Sequence, residues 1–233
     1  MRRIVVLTGA GMSAESGINT FRGAGGLWEG HDVMEVASPE GWNANKELVL
    51  DFYNQRRGQL AEVIPNSGHM ALRELEEKFI VHIVTQNVDD LHERAGSTHI
   101  LHLHGELLRA RGTIDPFVSY RWNRDLNLGD VCEHGSQLRP DIVWFGEAVP
   151  ALEAAAILVY DADIAIIIGT SMQVYPAAGL IGYARPDTDV YYIDPEPTVN
   201  HELTTRRGLT IISEKAGVGV PTLVKKLIDR EDA

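Results

Sequence analysis

The sequence predicts an α/β fold: a Rossmann-like, doubly wound parallel sheet with a small inserted module. Three observations carry this. Short runs rich in Ile and Val alternate with helical patterns along most of the chain. A glycine-bearing turn follows the first of these runs. One run, Ile164–Ile168, is apolar at every position, as a strand buried on both faces is. The 233 residues suffice for one large domain with an insertion.

Residues 3–7 open the sheet, and the apolar stretch Ile4 to Leu7 runs directly into Gly9 and Gly11. It is too short for a signal peptide or a membrane span. A helix is expected over 46–63, where Leu48, Phe52 and Leu60 fall near a 3.6-residue period. Another is expected over 69–78, after the start signal Pro65-Asn66. Further strands are expected at 79–84, 100–103, 142–145, 163–168, 190–193 and 209–212, with helices at 152–160 and 221–228. This alternation assigns 1–107 and 140–233 to the Rossmann-like domain. Residues 108–139 carry Arg109, Arg111, Arg121, Arg124 and Arg139 and no long apolar run, and form the inserted module. The irregular stretch 23–39 reads as a mobile loop over the cofactor, where an inert surface loop is the plainer reading.

A net charge of −12 argues against nucleic acid or an anionic membrane as the main partner, and suits basic ones. The single cysteine, Cys132, excludes a disulfide framework and fits a reducing, cytoplasmic location.

Four stretches can carry chemistry. Gly9-Ala10-Gly11 is either a phosphate loop, whose backbone N–H groups approach a pyrophosphate, or a tight turn. Ala14 stands where the third glycine of G-x-G-x-x-G would fall, which argues against a hydride-transferring dehydrogenase. In TQNVDDLH, Gln86, Asn87 and Asp89 follow a strand and can bind a ribose or carboxamide, while Asn87 or Asp89 can equally cap a helix. In HILHLHGEL, His99, His102 and His104 lack the companions of a zinc site, and His104, just before Gly105, suits a general base. Gly169, Thr170 and Ser171 form a second close-approach loop, and Asp194 places a carboxylate just past a strand.

In this order, GAGMSAESGINTFR, TQNVDDLH, HLHGEL, VWFGE, GTS and SEKAGVGVPTLVKKL resemble the sirtuins, the NAD-dependent protein deacylase family, over nearly the whole chain. The resemblance implies NAD as cofactor and His104 as catalytic base. It places Gly9, Ala10, Gly11, Ala14, Glu15, Phe21, Arg22, Trp28, Gln86, Asn87 and Asp89 around NAD. From the later motifs it adds Gly169, Thr170, Ser171, Asp194, Pro195, Glu196 and Ala216. An acyl-lysine of a protein substrate would enter between the large domain and the small module. In the implied reaction the acyl oxygen attacks the ribose C1′ and nicotinamide leaves. His104 then deprotonates a ribose hydroxyl that attacks the acyl carbon, giving free lysine and 2′-O-acyl-ADP-ribose.

The stretch SAESGINTFRGAGGLW further resembles the class III sirtuins, which include desuccinylases and demalonylases. In those a Tyr and an Arg three residues apart face the acyl pocket, and FYNQRR supplies Tyr53 and Arg56 on one helix face. Arg56 would pair with a carboxylate, Tyr53 would add a hydrogen bond, and Ala24 would leave room for a longer acyl chain. Arg57 is the less favoured substitute for Arg56; without the family, Tyr53 and Arg56 read as an exposed pair on an amphipathic helix. Sirtuins usually hold a structural zinc on four cysteines, whereas this chain offers Cys132 and His134 and reads RARGTIDP where the first cysteine pair is due. No zinc is expected, and the module would hold by packing through Phe117, Tyr120 and Trp122. A monomer is favoured. The rival to catalysis is a non-catalytic NAD or ADP-ribose sensor, against which His104, Asn87 and Asp89 speak.

Overall fold

The β-branched runs pair into a six-stranded sheet in which every pairing is parallel. The computed structural model of the chain describes residues 1–19, 27–115 and 118–232. Phe21, Arg22, Ala24 and Phe117 therefore lie outside the described residues.

The chain begins with β1 (Arg3–Thr8), then a hairpin of β2 (Leu27–Trp28) and β3 (His31–Asp32). Helices α1 (Val33–Val36), α2 (Pro39–Ala44), α3 (Lys46–Glu62) and α4 (Ser67–Leu75) lead to β4 (Ile80–Thr85). After α5 (Leu91–Ala95) and β5 (Ile100–His102) come β6 (Gly105–Gly112), β7 (Ser119–Arg121) and β8 (Leu138–Ile142). The remainder is α6 (Leu152–Asp161), β9 (Ile164–Ile168), β10 (Asp189–Ile193), α7 (His201–Thr204), β11 (Leu209–Ile212) and α8 (Ala216–Glu231).

The strand order of the large sheet is β11-β10-β9-β1-β4-β5. The chain moves outward from β1 on one side, then returns to its other side, so the order reverses between β1 and β9. That is the switch point where open α/β sheets bind ligands. Side chains alternate between the two faces. Ile4 and Val6 join a core closed by α4 and α8, and Val5 and Leu7 join one closed by α6. In α8, Pro221 cannot donate to the carbonyl of Gly217, and the Ser67 hydroxyl fills that place at 2.7 Å.

The second sheet, β7-β6-β8, is antiparallel and has its own core, shared with α1, α2 and α3. Its strands escape a hydrophobic-pattern reading because arginines alternate with apolar residues along β6. Arg111 of β6 is ion-paired with Glu147 at 3.2 Å and Asp141 at 3.8 Å, and Arg139 of β8 with Glu147 at 2.7 Å. The strand expected at 142–145 is a correction. Only Ile142 belongs to a strand, because the backbone N–H groups of Val143 and Phe145 turn to the carbonyls of His104 and Ala37. Tyr120 and Trp122 pack against this second core.

Candidate active site

A cavity of about 740 Å³ lies at the carboxyl ends of β1, β4 and β9 and against the second unit. Its size falls within the usual range for small-molecule sites, about 300–1,000 Å³.

The floor is made where β1 and β9 end. The N–H of Gly9 donates to Ile168 (3.0 Å) and that of Gly11 to Gly169 (2.8 Å). A Cβ on Gly11 would stand 2.6 Å from the Gly169 Cα, and one on Gly9 2.8 Å from its carbonyl. These glycines are thus required for the two loops to touch, and their own N–H groups are already used within the protein. Gln86 spans the same junction, donating to the Thr170 hydroxyl at 3.1 Å.

The TQN segment is pinned from below by two histidines. His102 Nδ1 lies 3.0 Å from the Asn87 carbonyl and its Nε2 lies 2.8 Å from Glu93. Burial opposes a charge on this ring, but acceptors at both nitrogens favour the protonated form, and the net effect raises its pKa. His104 differs. Its Nδ1 lies 3.1 Å from the Gln86 carbonyl, an acceptor, so the neutral ring carries its proton there and leaves Nε2 basic. Burial lowers its pKa, keeping the ring neutral at pH 7. It stands at the bend between β5 and β6, where the two sheets join. Gly105 makes that bend with φ +81°, and a side chain there would collide with the Asp141 carbonyl.

Asp89 is buried and accepts from the Ser13 hydroxyl (2.9 Å) and from the Leu91 N–H (3.1 Å). Its bond to Leu91, two residues on, steadies the turn into α5, whose N-cap position is Asp90, and Asp89 also lines the cavity. Asn87 donates to Ser13 at 3.1 Å, and burial raises the Asp89 pKa. Asp194 accepts from the Glu196 N–H at 2.9 Å. Glu15 accepts from the Gly217 N–H at 2.6 Å, joining the first loop to the start of α8.

On the opposite wall, Tyr53 is fully buried and accepts from the Trp144 indole N–H at 3.0 Å. Burial raises its pKa strongly, so it stays a neutral phenol with its own proton free to donate. Arg56 lines the cavity and pairs with Glu29 at 2.9 Å. Arg57 points elsewhere, to the Leu107 carbonyl (3.1 Å) and Asn54 (2.6 Å), fastening α3 to β6. Trp144 is itself held by Arg139, stacked 3.2 Å from its ring centroid, and by Glu147, which accepts its backbone N–H at 2.8 Å.

The cavity thus gathers Gly9, Ala10, Gly11, Ala14, Glu15, Trp28, Gln86, Asn87, Asp89, His104, Gly169, Thr170, Ser171, Asp194, Pro195 and Glu196, together with Tyr53 and Arg56. Ala216 stands apart, buried in the apolar core, while its neighbour Lys215 lines the cavity. Sequence reasoning did not single out Asn19, Glu29, Trp144 or Lys215, although VWFGE signalled Trp144 as part of a motif.

A dinucleotide fits these residues: two interlocked small-residue loops at a switch point, with carboxylates and amides beside them. A structural zinc does not. Cys132 is buried against the Ser136 hydroxyl at 3.0 Å, and His134 is exposed, with Glu133 at 3.9 Å. Among the described residues no group of three or more His, Cys, Asp or Glu could hold a metal. Nor, among them, is any helix long and apolar enough to cross a membrane.

Comparison with known proteins agrees with this geometry. The Sir2 family model matches residues 9–176. An NAD-dependent protein deacylase of Helicobacter pylori is 60% identical, over 98% of this chain and 99% of its own length. One of Bacteroides thetaiotaomicron is 52% identical over the same shares of the two chains, 98% and 99%. A crystal structure of a Sir2 homologue in complex with NAD superposes with a TM-score of 0.87 at 37% identity, covering 98% of this chain and 90% of that one.

Proposed function

The chain belongs to the Sir2 family and is an NAD-dependent protein deacylase, and from that premise we propose that it removes succinyl, malonyl and acetyl groups from protein lysines. The single observation that carries the acyl preference is the wall to which Tyr53 and Arg56 both contribute: a neutral phenol and a guanidinium, three residues apart on α3 and both lining the cavity. That pair suits an acyl chain ending in a carboxylate. The products are nicotinamide, free lysine and 2′-O-acyl-ADP-ribose.

When bound, NAD supplies the ribosyl group to which the acyl group passes. The chain's own residues divide the remaining work. Asn87 and Asp89, tied to each other through Ser13, offer a fixed amide and carboxyl for a carboxamide. Gln86, held on Thr170, and Asp194 suit hydroxyl groups. His104 takes a proton at Nε2, because Nδ1 is committed to Gln86. Tyr53 and Trp144 keep water away from the acyl chain and orient it.

The test is nicotinamide release with NAD and lysine peptides of one sequence carrying acetyl, malonyl or succinyl groups. Turnover is expected on all three. Arg56→Met should lose the succinyl and malonyl reactions far more than the acetyl one, and equal losses would remove the acidic-acyl assignment.

A further inference from the structure

Arg56 already has a carboxylate of its own. Glu29 stands 2.9 Å from its Nη1, and Asn19 donates to both oxygens of Glu29 at 3.2 and 3.3 Å. The side chains of Arg56 and Glu29 are only 16% and 19% exposed, and both, with Asn19, line the cavity. Glu29 reaches this place from the hairpin turn between β2 and β3, where Glu29 and Gly30 both take positive φ, +52° and +87°. That is the pattern of a two-residue hairpin loop. The guanidinium is not saturated: the Glu29 contact is an ion pair without hydrogen-bond geometry, and both Nε and Nη1 are buried without a hydrogen-bond partner. Three other carboxylates of the cavity are engaged elsewhere: Glu147 by Arg139 and Arg111, Glu15 by Gly217, Asp89 by Ser13.

We propose that Glu29 is a specificity-determining residue, an internal carboxylate that competes with acidic acyl chains for Arg56 and so sets how far they are favoured over neutral ones. The inference rests on the acidic-acyl reading of the Tyr53–Arg56 wall. With Glu29 in place the pair carries no net charge. An incoming carboxylate must either displace Glu29 or share the guanidinium through its other edge, against the repulsion of Glu29. An acetyl group requires neither. In a partly dry cavity such a charge difference is weakly screened. Glu29 acts through Arg56, so it positions and neutralises rather than reacting.

The experiment measures kcat and KM on acetyl- and succinyl-lysine peptides of one sequence at saturating NAD, for wild type, Glu29→Gln, Arg56→Met and the double variant, with Glu29→Ala as a second substitution. Glu29→Gln keeps the shape and the Asn19 contact while removing the charge. It should raise the succinyl-to-acetyl ratio of kcat/KM about tenfold, mainly through a lower KM for the succinyl peptide. Glu29→Ala should move the ratio the same way. In the Arg56→Met background the Glu29→Gln change should shift the ratio less than about twofold, because the residue being competed for is gone. A ratio unchanged in both Glu29 variants, or the same gain with Arg56 absent, overturns the proposal. The two readings fail separately. If Arg56→Met leaves the ratio untouched, the acidic-acyl wall falls and Glu29's role with it. If Arg56→Met lowers the ratio but Glu29→Gln does not raise it, only the role of Glu29 falls.

Discussion

Acid should weaken this fold through one histidine that does not line the cavity. His69 is fully buried, and its Nδ1 accepts the Asn66 N–H at 3.3 Å, closing a capping box on α4. Burial pushes its pKa down to about 4 from 6.5, against the upward pull of Glu93. The unfolded chain takes up that proton near pH 6.5, whereas the folded chain resists it until about 4. Between those values the unfolded state binds more protons. Stability is therefore full above pH 6.5, declines as pH falls, and levels off below about 4. The gap between 6.5 and about 4, at about 1.4 kcal/mol per pH unit, amounts to ~3 kcal/mol. Other groups contribute to the total slope. His92, its ring 4.8 Å away, is also pushed down and acts in the same direction, while the raised pKa of Asp89 acts in the opposite one. His69→Gln isolates the term, because a glutamine carbonyl can accept the same N–H and does not titrate. Urea midpoints measured from pH 8 to pH 4 should show wild type losing ~3 kcal/mol more than His69→Gln. Parallel slopes for the two proteins would refute the reasoning. The effect reaches the nucleotide loop, since Asn66 also donates to the Met12 carbonyl (2.8 Å) and to Ser16 (3.1 Å).

Other outcomes follow from the same contacts. His104→Tyr should cut free-lysine formation by at least about 100-fold, read by mass spectrometry of the peptide; normal turnover would remove its role as base. In wild type, the lowered pKa of His104 should move the acid limb of the kcat/KM profile below the range of a free imidazole, with activity declining as pH falls and the ring gains its proton. Tyr53→Phe leaves the buried Trp144 N–H without its acceptor and should cost about 1–3 kcal/mol in denaturant unfolding, with a larger loss on succinyl than on acetyl peptide. Gly169→Ala would force a methyl group against the Met12 N–H at a φ of +59°, and should cost about 2–4 kcal/mol in the same assay; near-wild-type stability would contradict the interlocked floor.

The large sheet was legible because its strands are buried on both faces, so Ile164–Ile168 or Val5 and Leu7 reveal themselves by composition alone. The second sheet was not, because Arg111 and Arg139 are sheltered by Asp141 and Glu147, partners found only once the chain is folded. His104, Asn87 and Asp89 were readable from local motifs, each just past a strand end. The reason for Gly9 and Gly11 was read incompletely: sequence offers a close approach to phosphate, whereas the structure shows them packed on Gly169. Arg56 was preferred to Arg57 through the family resemblance alone; in the structure Arg56 lines the cavity, and Arg57 turns to Leu107 and Asn54. The Glu29 partner, which joins a hairpin turn to a helix, left no periodic trace at all.

The floor of the cavity also sets an order of events during synthesis. Gly9 and Gly11 leave the ribosome well before Gly169, yet Gly169 is the surface they lean on, and their N–H groups await the carbonyls of residues 168 and 169. A nascent chain that stops before Gly169 therefore carries all of TQNVDDLH and His104 but half a floor. Nucleotide affinity should appear late, in a single step, as strand β9 docks beside β1 rather than growing with the length of chain made. The same interlock means that a change of shape in either loop must be matched in the other.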